Sequence, residues 1–457
     1  MFASLQQRIA PGLPLIITKA HHRTGNSLNE VPFWIFITIC AIIPSRLTPI
    51  IQICDVPIMI KDVLLILITV YYLVHRVLFA SRRLNRHDIS FKFLSIFLLL
   101  VGYAALSITW SGLESDDRNS MAYTLVCTLA SSILPYLVVK TYNQNELYAF
   151  LKRLVLFTAT IGFIYALQSF LDLGLRTEAG KLVGEFGIER VRGPLFGSST
   201  GHLILIPAFG FSINELIVSF SKKSNRLFWS MISLSLLFVI LALGSRAAVI
   251  CLAAFVIIMI PLLRGLGKKI LTFAVVAFML CIALALLNLQ ANTDRLSNME
   301  DMTRLTTHRT AWDIVTFSSI PQLLIGHGYG SYWPWYLADI EDGGARATGR
   351  FMNKTSFGPI LYHPHSVLLL LVVELGILGL CFYIYSIWFL LKMVIYVKAY
   401  AKFIPFICGT ASASLAFFFD LFLFKSWELS SIWWLFLFSS INIVLFPANK
   451  GTRKISK

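Results

Sequence analysis

Residues 91–110 read FKFLSIFLLLVGYAALSITW, a run whose only charged member is Lys92. A helix rising about 1.5 Å per residue carries such a run across about 30 Å, the hydrocarbon thickness of a bilayer. Residues 270–289, ILTFAVVAFMLCIALALLNL, form a second run of that length with no charge at all. Blocks of this kind recur along all 457 residues, which are 57% hydrophobic and 14% charged, with a mean hydropathy of +0.75. Soluble domains carry roughly 25% charged residues, so the apolar excess has no place in a water-exposed fold. The expected fold is an all-α polytopic membrane protein of about twelve transmembrane helices. They fall at 31–49, 57–79, 89–110, 121–140, 148–171, 199–220, 227–243, 247–263, 269–290, 366–391, 402–424 and 431–447.

The orientation follows from charge rather than hydropathy, because Lys and Arg collect in cytoplasmic connections. With the N-terminus in the cytoplasm, every connection on that side is basic when its flanks are included, with clusters such as Arg82-Arg83, Lys222-Lys223 and Lys268-Lys269. Only Glu30, Asp88 and Glu146 accompany them, whereas most acids fall outside. Both termini are therefore expected in the cytoplasm. The chain divides into a tail at 1–30, spans one to nine at 31–290, a large periplasmic loop at 291–365, spans ten to twelve at 366–447 and a tail at 448–457. The net charge of +16 sits between apolar blocks, as topology signals do, and no nucleic-acid partner is expected. The seven cysteines lie mostly inside apolar runs and show neither a disulfide framework nor metal-ligand spacing.

Chemistry is expected on the outer connections. The loop 291–365 is far longer than the 12–15 residues at which structureless connections become uncommon. It is rich in aromatics, including Trp312, Trp333 and Trp335, and its patterning predicts two short helices against the membrane face. Arg190 and Arg192 precede the sixth span, where they either snorkel to lipid phosphates or bind a ligand. Arg246 stands alone in the tight turn Gly244-Ser245-Arg246 on the face poor in arginine, which marks it as positioned. Arg309 and Trp312 share a helix face. His363 and His365 close the long loop, and Glu374, about two turns into the tenth span, must face protein or a wet cavity. The acids Asp55, Asp62, Asp116 and Asp117 form an alternative, metal-holding set.

Three stretches together resemble the superfamily of O-antigen ligases and Wzy-type polymerases, including exopolysaccharide polymerases. The first is Gly244-Ser-Arg-Ala-Ala248. The second is Arg309-Thr-Ala-Trp312 with Pro321 and Gly326-His-Gly-Tyr-Gly330. The third is His363-x-His365 followed by Glu374-Leu-Gly-Ile-Leu-Gly379. The resemblance spans about residues 190–380; Ser366 stands where the family has Asn, and Ala247 where it has Gly.

That resemblance implies a bacterial inner-membrane glycosyltransferase. Its donor is an undecaprenyl-diphosphate-linked oligosaccharide, its acceptor a glycan or a lipid-linked glycan, and its work is the polymerisation or ligation of surface polysaccharide. It implies Arg192 and Arg246 on the diphosphate, assisted by Arg309 and Arg190. His365 sits at the acceptor hydroxyl, with His363 and Glu374 supporting. Trp312, Trp333 and Trp335 stack on sugar rings, and neither metal nor cofactor takes part. Membrane lipids, polysaccharide export proteins and chain-length proteins complete the expected partners. The rival class is a flippase or transporter, which would show ionisable groups at the bilayer midplane, interrupted helices and repeated halves.

Overall fold

The computed structural model describes residues 30–43, 51–53, 56–79, 88–171, 191, 193–196, 200–218, 223–243, 245–259, 261–262, 302–333, 352–361, 364–396, 403–418 and 421–445. Helices dominate them. The first eight are α1 (Glu30–Ile42), α2 (Ile60–Phe79), α3 (Ile89–Ser107, extended by a 3-10 turn Ile108–Trp110), α4 (Ser115–Thr141), α5 (Gln144–Leu171), α6 (His202–Val218), α7 (Lys223–Ala242) and α8 (Arg246–Met259). The long loop supplies α9 (Met302–Phe317) and α10 (Ile320–Ile325). There follow α11 (Val367–Tyr396), α12 (Ile404–Ala413, extended by a 3-10 turn Ser414–Phe418), α13 (Phe422–Lys425) and α14 (Trp427–Leu445).

Every expected span position holds helix except the ninth, 269–290, which lies outside the described residues together with 1–29 and 446–457. Among the described residues five helical stretches are long and apolar enough to cross a bilayer: Ile89–Trp110, Asp117–Thr141, Gln144–Ser169, Asn225–Ala242 and Val367–Ile395. All of α14 from Leu429 to Ile443 is buried, and α3, α4, α5, α6, α12 and α13 pack against it. Phe97 meets the Trp434 ring at 4.9 Å, joining α3 to α14. α6 and α12 cross closely, where a Cβ on Gly409 would lie 2.9 Å from the Ile206 carbonyl oxygen. Small residues at a helix contact allow this approach.

Glu30 and Asp88, assigned to the cytoplasmic side, are paired locally, as is Glu215 in the sixth span. Arg153 donates to Glu30 at 2.6 Å, Lys140 pairs with Asp88 at 2.6 Å, and Lys152 pairs with Glu215 at 2.7 Å. The Lys140–Asp88 pair joins the end of α4 to the start of α3, and the other two reach the body of α5. Asn143 and Glu146 cap the start of α5 reciprocally, each side chain accepting the other's backbone N–H at 3.0 Å.

Four expectations change. The all-α reading gains two antiparallel hairpins, β1 (Ile51–Ile53) with β2 (Val56–Ile58), and β3 (Met352–Thr355) with β4 (Gly358–Leu361). The acidic run after the third span is no open loop: α4 starts at Ser115, so Asp116 and Asp117 occupy its first turn, where carboxylates oppose the positive end of the helix dipole. The eleventh span is divided into α12, its 3-10 extension and α13. The tenth is broken at Gly376, whose φ of 62° and ψ of −150° are not helical.

Candidate functional site

The break in α11 organises the face that the charge pattern assigns to the outside. A helix interrupted at Gly376 releases the carbonyls of the preceding turn, and buried carbonyls need donors. The segment Gly326–Trp333 supplies them: His327 N–H donates to the Val373 oxygen at 3.1 Å and Gly328 N–H to the Glu374 oxygen at 2.9 Å. The fully buried Glu374 carboxylate answers in the opposite direction. It accepts the N–H of Gly330 at 2.9 Å, of Tyr332 at 3.2 Å and of Trp333 at 3.0 Å. Two glycines make the contact sterically feasible. A Cβ on Gly326 would run into the Glu374 carbonyl, and one on Gly376 would lie 2.5 Å from Gly326 N, while both residues have positive φ. The Gly326–Gly330 and Glu374–Gly376 stretches, separate in sequence, are thus two halves of one joint.

The same segment is fixed on its other side to α3 and α4. Tyr329 N–H donates to Ser107 Oγ at 2.9 Å, and its hydroxyl lies 3.1 Å from Thr124 Oγ1. Tyr103 Oη donates to the Ile325 oxygen at 2.5 Å. His327 Nε2 lies 2.8 Å from Ser318 Oγ, whose own proton goes to the Ile314 oxygen. The imidazole is therefore the donor, through Nε2–H, and burial holds its pKa below the ordinary value.

Above the joint sits a small second core of Ala311, Ile314, Trp333, Ile360 and Val373. It packs α9 and β4 on the first half of α11. Thr310 Oγ1 donates to the Pro359 oxygen at 2.9 Å, and Thr307 Oγ1 accepts Leu361 N–H at 3.0 Å, locking the hairpin to α9. His365 lies between the end of β4 and the start of α11, half-buried, with φ of 49°. Left-handed backbone is uncommon outside glycine, and it turns the chain sharply into α11. His363 lies outside the described residues.

The third part is the turn between α7 and α8. Arg246 is the first residue of α8 rather than a turn residue, and Ser245 Oγ accepts Ala248 N–H at 3.4 Å. Val191 N–H donates to the Ala242 oxygen at 3.2 Å, four residues before Arg246. The connection ahead of α6 is therefore tied to the end of α7. Its described residues Gly193–Phe196 are buried against Tyr165 of α5. That hydroxyl donates to the Ala41 oxygen at 2.5 Å and accepts Leu195 N–H at 3.3 Å. Arg190 and Arg192, on either side of Val191, lie outside the described residues. Both α8 and α11 pack against the 3-10 turn Ser414–Phe418.

The remaining expected residues separate clearly. Arg309 and Trp312 are exposed on one face of α9, with Trp312 71% exposed. Trp333 is fully buried in the second core, so the expectation that its ring stacks on a sugar is corrected: both faces are packed by protein. Trp335 lies outside the described residues. Of the acidic set, Asp62 accepts from Tyr123 at 3.0 Å, next to a Lys61–Glu428 pair at 3.6 Å; Asp55 is not among the described residues. Among the described residues no three His, Cys, Asp or Glu side chains come together. Sequence reasoning missed Tyr165, Ser107 and Thr124, which sit in apolar runs without a local signal.

Residues 216–384 match the family model described as O-antigen ligase, a stretch that includes Arg246, Arg309, Trp312, Trp333, His363, His365 and Glu374. No curated protein matches the chain. The joint, the second core and the α7–α8 turn all fall within or directly against the matched stretch. Residues 216–384 of this chain, which carries several helices apolar enough to span a membrane, are thus similar to the O-antigen ligase family.

Proposed function

We propose that the protein polymerises glycan at the periplasmic face of the inner membrane, using an undecaprenyl-diphosphate-linked oligosaccharide as donor. The observation that carries this reading is the bond from Val191 N–H to the Ala242 oxygen, because it joins the connection bearing Arg190 and Arg192 to the turn bearing Arg246. Guanidinium groups grip phosphate oxygens in pairs, and the N-terminus of α8 adds the positive end of a helix dipole. Arg192 and Arg246 hold the diphosphate, and Arg190 and the exposed Arg309 assist.

In the reaction the acceptor hydroxyl oxygen attacks the anomeric carbon of the donor sugar. The bond from that carbon to the diphosphate oxygen breaks, and undecaprenyl diphosphate leaves with the electron pair. His365 takes the hydroxyl proton, a task suited to a group that titrates near neutrality. The arginines stabilise the charge that grows on the leaving oxygen, which supplies the electrostatic assistance without a metal. Trp312 offers a ring at the same face for the incoming sugar.

Polymerisation is favoured over ligation by the Gly326-His-Gly-Tyr-Gly330 run followed by Trp333, which resembles exopolysaccharide polymerases. Polysaccharide export and chain-length proteins are the fitting partners. The broken α11 also suits a transporter, in which interrupted helices line a substrate cavity. Here, however, the released carbonyls of Val373 and Glu374 are taken by loop N–H groups, so the break serves packing.

Deletion of the gene, followed by inspection of surface polysaccharide, tests the proposal. Single uncapped repeats are expected. Full-length polymer that stays on its lipid carrier would assign ligation instead, and unchanged polysaccharide would contradict both.

A further inference from the structure

We infer that Glu374 is a positioning residue for His365, an assignment that rests on the glycosyl-transfer reading above. The two are separated by the first half of α11, Val367–Leu375, a rod about 13 Å long at 1.5 Å per residue. The rod is interrupted at Gly376, so the second half of α11 does not fix its tilt by helix continuity. Val367, Leu370, Leu371 and Leu375 pack the rod in the main core, and the joint adds directional bonds at its far end. There the Glu374 carboxylate accepts Gly330, Tyr332 and Trp333, and the carbonyls of Val373 and Glu374 accept His327 and Gly328. The loop that donates these bonds is itself fixed to α3 and α4 through Tyr329, Ser107 and Thr124. Glu374 therefore connects the histidine-bearing rod to the membrane bundle rather than to the outer loop alone.

Among the described residues no cation pairs with Glu374, and all three of its hydrogen-bond partners are backbone N–H groups. A fully buried carboxylate is costly, and a buried apolar side chain at this position would fill space without that cost. What the carboxylate adds is direction: two oxygens take three donors from one loop. A tilt of about 5° at the joint moves the far end of the rod by about 1 Å, and misplacement of about 1 Å is enough to cost roughly a hundredfold in rate.

The test uses full-length protein in nanodiscs, read by amide hydrogen exchange and by steady-state transfer normalised to folded protein. Glu374→Gln keeps one acceptor oxygen and turns an amide N–H toward a backbone donor. Exchange at 328–333 should rise, and kcat should fall about ten- to a hundredfold with donor KM within about twofold. Glu374→Asp retains both oxygens on a shorter stem and should fall between the two, and it takes over the test if Glu374→Gln does not fold. Unchanged exchange, or raised exchange with unaltered kcat, overturns the positioning role. So does activity lost only in proportion to folded protein. Wild-type protein that forms no glycosidic bond overturns the glycosyl-transfer reading and this role with it. Wild-type transfer with intact turnover in the variants overturns this role alone.

Discussion

Val191 N–H donates to the carbonyl of Ala242 at 3.2 Å, so the connection before α6 and the turn that opens α8 share one corner of the protein. The corner holds Arg246 at the first position of α8. Arg246→Ala should lower kcat by about 10² to 10³, the cost of removing a donor that meets developing charge. Arg246→Lys keeps the charge but loses the planar fork, and should still lose at least about tenfold. Transfer assays on protein of equal fold check both; near-normal activity in the lysine variant would argue against a bidentate grip on phosphate.

Tyr165 supports that corner from beneath, because its hydroxyl serves Ala41 and Leu195 at once. Tyr165→Phe leaves a buried carbonyl and a buried N–H without this partner, a loss of about 1–3 kcal/mol per unsatisfied group. The expected result is a lower thermal midpoint together with a raised donor KM, measured by melting and initial rates. An unchanged KM would disconnect Tyr165 from donor binding.

Trp333 and Trp312 of the long loop should behave in opposite ways. Trp333→Ala empties the second core and should cost about 3–5 kcal/mol of stability. Trp312→Ala removes a ring that is 71% exposed, so stability should stay within about 0.5 kcal/mol. Its KM for the sugar substrate should rise roughly fivefold, as a lost stacking contact of about 1 kcal/mol implies. Melting curves beside kinetics separate the two.

Much of the architecture is legible in the sequence because membrane spans depend on runs of apolar residues and on charge at their ends. The break at Gly376 is not legible, since a glycine inside an apolar run looks like any other until its φ is known. The β3–β4 hairpin also escapes a local reading. Its turn, Thr355-Ser356-Phe357-Gly358, lacks the Asn-Gly or Asp-Gly signal, and the Thr355 side chain supplies bonds to Phe357 N–H and the Gly358 oxygen instead. For the site, residue types pointed to Arg246, His365 and Glu374, but not to the joint between Gly326–Trp333 and Glu374. That joint is made by contacts more than forty residues apart along the chain. Trp333 shows the limit from the other side: an aromatic in an outer loop reads as a ligand contact, and only packing reveals it as core.

His327 gives the outer loop a pH dependence whose sign is fixed. Burial lowers its folded-state pKa, so below about 6.5 the unfolded chain binds the proton first and folding is penalised. Stability is complete above that value and declines as pH falls toward the lowered folded-state pKa. Replacing His327 with Gln should flatten this part of the midpoint-against-pH curve. A wild-type midpoint that rises on acidification through this window would contradict the assigned neutral Nε2–H donor.

The central claim, glycosyl transfer from a lipid diphosphate through Arg246 and His365, is tested most directly in proteoliposomes. They would contain purified protein, an undecaprenyl-diphosphate-linked oligosaccharide and EDTA, with mass spectrometry of the products. The account predicts a new glycosidic bond that forms in EDTA with release of undecaprenyl diphosphate, and that is lost in Arg246→Ala and in His365→Ala. Movement of the lipid-linked glycan across the bilayer with no new bond, or transfer undiminished in either variant, would contradict it.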